Sequence, residues 1–484
     1  MTNTARQIGE KTFTNEDQQL FARLSHDCNP MHMDPIAARR LITGRQVVHG
    51  IHVLLTALEF WQRDMSRQLT SIDCSFNNPV SVGEPVFFTQ LDEPDQALTL
   101  EASVEGLVCA RIALVPSSAA TLAPAPGALA QIVPDQHLSM LDPSRPPLEE
   151  APELHQGKHY ALRLDTGDLS TFFPQSCRLL GNEGLASALA LSYIVGMVCP
   201  GLHSVFSAVD MDLHDQVAGD GLLRFSVLKY DPRFRLFNIR FSGRIRGGIK
   251  AFLRPPIQNQ ASVRDLSQSV VADEFKGSRS LVIGGSRGLG ELTAKILAAG
   301  GGETVITYAK GFADAKAISE EIRAGVGSHC QTIRLDLTSD RFDSLAIDWN
   351  TLDAIYFFAT PRIFRKKAGV FDARLFREFS DFYVAKFYEL CVFLEEKLTT
   401  GKITLYFPST VFVEERPKGM AEYAMAKSAA EVLVQEINRS FTKLRVSCSR
   451  LPRLSTDQTT SIVKVSTGSN LETLLPLIRS LQTG

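Results

Sequence analysis

Two stretches of this chain place proton-exchanging groups at spacings that chemistry can use. Residues 23–34 read Arg-Leu-Ser-His-Asp-Cys-Asn-Pro-Met-His-Met-Asp. Asp27 and His32 stand five apart across a proline-containing turn, which can aim both side chains at one point. A straight helix instead pairs residues three or four apart. A carboxyl beside an imidazole suits the addition or removal of water across a carbon–carbon double bond. One group handles the proton on the carbon next to a thioester carbonyl, and the other handles the oxygen. Far downstream, Tyr423-Ala424-Met425-Ala426-Lys427 sets a phenol and an ammonium four apart on one helix face. A lysine there lowers the phenol pKa and makes the tyrosine a proton donor to a carbonyl that receives hydride. The strand-like TLYFPS ends at Ser409, placed to hydrogen-bond the same carbonyl.

A third stretch, Gly284-Gly285-Ser286-Arg287-Gly288-Leu289-Gly290, follows the strand-like LVI and opens a helix. Its glycines let backbone approach a pyrophosphate at the helix N-terminus. The second strand then ends Ile306-Thr307-Tyr308-Ala309-Lys310, without the acid that a site preferring NAD places there. Arg287 and Lys310 are the cations for a 2′-phosphate, and NADPH is the expected cofactor. Ordinary solvated charge is the rival reading of both.

The elements that must position these groups fall into three pieces. Eight of the 23 prolines lie between Pro116 and Pro152, interleaved with Ala and Ser, which reads as an extended connector. A weaker joint lies near Pro255 to Phe275. The expected domains are 1–115, a linker 116–153, a second repeat 154–256, a linker 257–276, and 277–484. In the first piece His49-Gly50-Ile51 opens an apolar helix to about Trp61, then come SIDCSF and a turn at Gly83-Glu84. In the second, Glu183-Gly184-Leu185 opens an apolar helix to Val198, then come AVDMDL and a turn at Gly219-Asp220. Each continues with apolar–polar alternation suited to antiparallel strands with one buried face. The third piece alternates strand and helix, which predicts a parallel sheet covered on both faces.

Ser25-His26-Asp27-Cys28-Asn29-Pro30-Met31-His32-Met33-Asp34, followed by Val48-His49-Gly50, resembles the hydratase-2 signature of the MaoC-like (R)-specific enoyl hydratases and dehydratases. The resemblance implies a hot-dog fold in which Asp27 and His32 are the catalytic pair, Asn29 orients them, and the Gly50 N–H donates to the thioester oxyanion. The family usually has Gly where this chain has His26. The second piece has Phe173-Pro174-Gln175-Ser176-Cys177-Arg178 in place of the motif, so it is expected to be a non-catalytic repeat that supplies a wall of the substrate tunnel. His52, Asp34 and His203 are read as structural. The third piece resembles the short-chain dehydrogenase/reductase family through the glycine loop, Asp336-Leu337, Ser409, Tyr423 and Lys427. That resemblance implies cofactor contacts from Gly284, Ser286, Arg287, Gly288, Leu289, Gly290, Tyr308, Lys310, Asp336 and Leu337, with Tyr423 and Lys427 beside the nicotinamide. Departures from the family are Ile283, Phe357-Phe358-Ala359-Thr360, and Tyr383 at a position where a helix Asn often completes a proton relay. The expected fold class is an α+β double hot-dog followed by an α/β Rossmann-type doubly wound parallel sheet.

Composition narrows the function. The 484 residues carry 51 Lys+Arg against 53 Asp+Glu, which excludes a global basic field for nucleic acid. Eight scattered cysteines without a Cys-x-x-Cys pair predict neither a disulfide framework nor a zinc site, so no metal is expected. No apolar stretch follows Met1, and the most apolar window, Leu185 to Cys199, is short of a membrane span. A cytoplasmic, reduced protein is expected. The two resemblances together imply a bifunctional 3-ketoacyl-thioester reductase and 3-hydroxyacyl-thioester dehydratase in fatty-acid-like or polyketide synthesis. Its substrate would ride on acyl carrier protein or coenzyme A, with a ketosynthase as partner and a homodimer as the oligomeric option. Arg39-Arg40 and Arg365-Lys366-Lys367 are candidate carrier contacts, with solvated charge as the plainer reading. The alternatives are enoyl-CoA hydration plus 3-hydroxyacyl-CoA oxidation in degradation, and a non-catalytic subunit that holds carrier-bound chains.

Overall fold

The computed structural model describes the chain except for residues 1–4, 42, 62–68, 93–97, 117–132, 143–144, 214–219, 366, 368, 400, 463–464 and 483–484. Two compact units divide it, one of Met1–Pro256 with Ser461–Lys464 and one of Ile257–Thr460 with Val465–Gly484.

The first unit holds an 11-stranded sheet. Across one half run Ala5–Thr12, Pro85–Asp92, Leu98–Val104, Leu107–Pro116 and Leu69–Phe76, all antiparallel. Across the other run Ser204–Asp212, Arg246–Leu253, Leu236–Ser242, Leu222–Asp231 and His159–Arg163, with Gln136–Ser139 at the edge. Leu69–Phe76 pairs with Ser204–Asp212, from Ser71 opposite Asp212 to Ser75 opposite Ala208, and joins the halves. Apart from the edge strand Gln136–Ser139, each half taken in chain order places its second strand at this seam and its first strand toward the outside. Each half also wraps a helix. Gly50–Phe60 is buried from Ile51 to Leu58, because all of these residues but His52 and Thr56 are apolar.

The second helix, Pro174–Val198, is longer than its apolar core suggests. A helical stretch precedes Gly181, whose φ of 73° kinks it, and the last turn, Ile194–Val198, is π-helical. It is long and apolar enough to cross a membrane by length and composition, yet 78% of its apolar window is buried inside the protein.

Two stretches read as linkers differ from that expectation. Residues 117–132 lie outside the described residues, but farther on Leu138 and Met140 are buried in the first unit's core, so the connector ends in an edge strand. Likewise, residues 257–276 are not a free joint. Val263, Leu266, Val270 and Phe275 pack into the second unit's core against Ile296 and Leu297, because four apolar residues in a polar segment suffice to dock it.

The second unit is a six-stranded parallel sheet in the order Cys330–Arg334, Glu303–Tyr308, Arg279–Ile283, Ala354–Phe357, Ile403–Thr410, Leu444–Leu451. The chain starts in the middle, winds outward on one side, then returns to wind the other. Strands such as Ala354–Phe357 are buried at every position, which is what helices on both faces require. The reversal falls beside Arg279–Ile283, where such sheets bind ligands.

Candidate active sites

In the first unit the helix Asn15–Ser25 ends at His26, whose φ of 56° is left-handed. That conformation costs an ordinary residue roughly 1–2 kcal/mol, which is why glycine suits the position. Here the His26 ring reaches Asp165, with Nε2 2.9 Å from Oδ2. The reversal drops Asp27 into the core at 2% exposed. Asn29 then caps the turn Pro30–Met33, its Oδ1 accepting from the Met31 N–H at 3.1 Å.

His32 is buried nearby. Its Nδ1 donates to the Val47 carbonyl at 2.7 Å, because a carbonyl only accepts, and Nε2 is left as the basic nitrogen. Buried Gln18 fixes both ends of this bond, donating to the carbonyls of Val47 at 2.9 Å and His32 at 3.1 Å. His49, the residue before the Gly50–Phe60 helix, stacks on His32 with ring centroids 3.9 Å apart and donates from Nε2 to the Asp27 carbonyl at 3.0 Å. Asp27, His32 and His49 converge within 4.8 Å.

The Asp27 carboxyl is held largely by the other half of the unit. Ser192 donates its hydroxyl to Oδ2 at 2.7 Å, and the Asn29 backbone N–H donates to Oδ1 at 3.2 Å. Gly196 lets the carboxyl approach, since a Cβ there would lie 2.3 Å from Oδ1. The π-helical turn leaves the Gly196 carbonyl free to accept from Asn29 Nδ2 at 2.9 Å. Thus the Asn29 amide locks the turn to the second helix, and its backbone steadies Asp27. Burial raises the Asp27 pKa, against the pull of His32, Ser192 and Asn29. Burial lowers that of His32, with Asp27 and the Val47 carbonyl pulling it back up and Arg254 pushing it further down. Both groups are driven toward their neutral forms. They open, with Gly50, Phe76, Ser192 and Arg254, on a cavity of about 160 Å³.

His52 is structural, stacked on Phe21 at 4.6 Å and pushed by burial to about 3. Asp34 caps the helix Pro35–Arg39, accepting from Ile36 N at 2.7 Å. His203 Nε2 meets Glu149 at 2.8 Å.

In the second unit the glycine loop joins Arg279–Ile283 to the helix Gly288–Ala299. Gly284 has φ 83°, and a Cβ there would lie 2.7 Å from the Ala359 nitrogen. At Gly290 a Cβ would meet the Gly284 carbonyl at 2.3 Å. The loop is therefore cinched so that backbone alone borders the helix N-terminus, with Arg287 at its N-cap, Ser286 buried and Leu289 packed against the core. Tyr308 ends its strand against Phe312. The Thr338 hydroxyl donates to Asp336 and holds its carboxyl below the usual range, with the Lys310 charge adding to the pull. Leu337 is buried.

The helix Ala421–Ser440 places Tyr423 and Lys427 on one buried face. Lys427 Nζ donates to the Pro408 carbonyl at 2.6 Å and sits 3.8 Å from the Tyr383 ring centroid and 4.4 Å from that of Phe407. Burial pushes its pKa down to about 7. Contrary to the lowered phenol expected beside a lysine, burial raises the Tyr423 phenol, and it is the Thr410 hydroxyl that pulls it back. Ser409 and Thr410 are adjacent in one strand and so face opposite sides of the sheet. Ser409 donates to Glu431, which Arg450 grips through two nitrogens at 2.8 and 2.6 Å. It is Thr410 that neighbours Tyr423. Tyr383, in a π-helical turn, hydrogen-bonds Thr360.

Sequence reasoning missed His49 as a site residue, together with Ser192, Gly196, Arg254 and Thr410. His49 was visible in the His-Gly pair. The small residues in the apolar run up to Val198 were the one available hint of Ser192 and Gly196, and Arg254 had none.

The family described as MaoC like domain matches residues 2–105. The chain is 31% identical over 81 residues, 16% of its length, to the mitochondrial 3-hydroxyacyl-[acyl-carrier-protein] dehydratase of Arabidopsis thaliana, and the match spans 46% of that relative. Solved structures similar to the chain include a putative short chain dehydrogenase from Escherichia coli CFT073, at 19% identity and TM-score 0.36, covering 43% of this chain and 92% of that one. They also include FolM alternative dihydrofolate reductase 1 from Brucella canis complexed with NADP, at 16% identity and TM-score 0.33, covering 36% and 72%. Motif, buried acid–base turn and family match converge on the same residues: the stretch that matches the MaoC like domain is the one that holds Asp27, Asn29, His32 and His49.

Proposed function

We propose that the chain reduces 3-ketoacyl thioesters with NADPH in its second unit and dehydrates the resulting 3-hydroxyacyl thioesters in its first. The observation that carries this reading is the desolvated Asp27–His32 pair opening on a cavity at the N-terminus of Gly50–Phe60. In that cavity neutral His32 takes the C2 proton through Nε2, and protonated Asp27 gives its proton to the departing C3 hydroxyl, which leaves as water. The proton then returns from His32 to Asp27, and the pair is reset. The Gly50 N–H, in the helix's first turn, lacks an intrahelical acceptor and suits the thioester oxygen as it gains charge. We read the two halves of the sheet as a duplicated hot-dog with one working site.

In the second unit the Gly284–Gly290 loop suits a dinucleotide pyrophosphate, Arg287 and Lys310 suit a 2′-phosphate, and Tyr308, Asp336 and Leu337 border the adenine side. NADPH, when bound, supplies the hydride. Tyr423 gives the proton to the carbonyl oxygen, the Lys427 ammonium eases that loss, and Thr410 steadies the oxygen beside the phenol. Ser409 and Glu431 brace the strand. The relative's name supports acyl carrier protein as the thioester carrier. A ketosynthase supplying the ketoacyl chain in the cytoplasm, and a homodimer, complete the reading.

NADPH consumption on a 3-ketoacyl thioester tests the reductase. Tyr423→Phe should abolish turnover, and Thr410→Val should lower it about tenfold or more, in line with the loss of one positioned donor. Preference for NADH over NADPH would overturn the cofactor assignment.

A further inference from the structure

The dehydratase cavity contains a charge that the acid–base chemistry leaves unused. Arg254, just past the strand Arg246–Leu253, is 5% exposed and lines the cavity with Asp27 and His32. Its backbone N–H donates to the His203 carbonyl at 2.8 Å, and Nη2 donates to the Leu202 carbonyl at 2.7 Å. Asn29 Nδ2 donates to that same Leu202 carbonyl, at 3.3 Å, so the guanidinium stands beside the turn that carries Asp27. Its Nε is buried without a partner. Among the described residues no carboxylate pairs with it. Burial pulls its pKa down to about 10, so it remains a cation at neutral pH. A buried guanidinium without a counter-ion is costly, and an orphaned buried donor calls for a partner that arrives from outside. Val48, Val53, Phe76, Val80, Val195 and Val205 give the cavity apolar wall, and Thr43, Asn77, Asn78, Ser192 and Ser204 line it with neutral polar groups.

We propose that Arg254 is a substrate-binding residue that anchors an oxygen bearing negative charge on the acyl thioester. This rests on the dehydratase reading of the cavity. Two sources supply such an oxygen: the thioester carbonyl, which gains enolate charge as the C2 proton leaves, and a carboxylate carried on the acyl chain. A guanidinium offers either one a charge-assisted bond in a water-poor site.

The test uses the full chain and two coenzyme A thioesters, 3-hydroxybutyryl and 3-hydroxyglutaryl, with enoyl formation followed across pH. Arg254→Met should lower kcat/KM at least 100-fold on one or both, and Arg254→Lys should restore part of it. Equal loss on both substrates, mainly in kcat, assigns the thioester oxygen, whereas loss confined to 3-hydroxyglutaryl, mainly in KM, assigns a carboxylate. His32 is faced by Asp27, His49 and Arg254. Removing the cation should therefore shift the acidic limb of kcat/KM to higher pH, and the split of the loss between kcat and KM on the two substrates is what a merely structural arginine would not produce. Unchanged constants and pH profile in Arg254→Met overturn the proposal. Should Arg254→Met lose its fold by circular dichroism, Arg254→Gln takes its place in the same comparison. If wild type dehydrates neither thioester, the dehydratase reading itself fails, and the two failures are thereby distinguished.

Discussion

The two halves of the eleven-stranded sheet share a strand order, yet they treat their central helices differently. In the first half the helix begins abruptly at Gly50, its N-terminus faces a cavity, and the acid–base turn lies beside it. In the second half the helix has a prefix, Pro174–Leu180, kinked away from it at Gly181. Leu180 packs against Gly184, the counterpart of Gly50, where an added Cβ would meet it at 3.1 Å. The N-terminus of the prefix is occupied by Glu59 of the first half, which accepts from Gln175 N at 3.0 Å, Ser176 N at 2.8 Å and the Ser176 hydroxyl at 2.7 Å. A carboxylate there complements the helix dipole. The second half has therefore filled its own site and contributes to its neighbour's, through Ser192, Gly196 and Arg254. A half without the acid–base motif thus still has a role in the site.

Substitutions on either side of this division sharpen it. Asp27→Asn should lower dehydration about 1000-fold while leaving carbonyl reduction intact, since it removes one member of an acid–base pair. Product formation from a 3-hydroxyacyl thioester measures it. Gly196→Ala should lower dehydration about 100-fold, because its Cβ would displace the Asp27 carboxyl by more than an ångström. A harmless alanine there would break the claim that the second half shapes the site. Ser192→Ala should cost about tenfold, the value of one hydrogen bond to the carboxyl, and should raise the pH at which Asp27 ionises, because Ser192 holds that pKa down. The smallest effect is expected at the joint between the halves. His26→Gly relieves left-handed strain but gives up a partly buried bridge to Asp165, so the melting temperature should rise by a few degrees at most.

The acid–base turn was legible because it is local: twelve consecutive residues carry Asp27, Asn29 and His32, and the proline fixes how they bend. The parallel unit was legible from its alternation and its glycine loop. What distance along the chain separates, the sequence hides. Ser192, Gly196 and Arg254 reach the site through the pairing of Leu69–Phe76 with Ser204–Asp212, which no local pattern announces. The choice between Ser409 and Thr410 turns on one position of strand register, and Phe-Pro-Ser-Thr does not say which hydroxyl faces Tyr423. The docked segment 257–276 shows the same limit, since four apolar residues spread over thirteen positions look like a joint until the core that receives them is known.

Two consecutive reactions are proposed for this chain, and product tracing from one substrate tests that proposal most directly. A 3-ketoacyl carrier thioester and NADPH should give enoyl product with wild type, accumulated 3-hydroxyacyl product with Asp27→Asn, and unreacted ketoacyl thioester with Tyr423→Phe. Normal enoyl formation by Asp27→Asn would contradict the account.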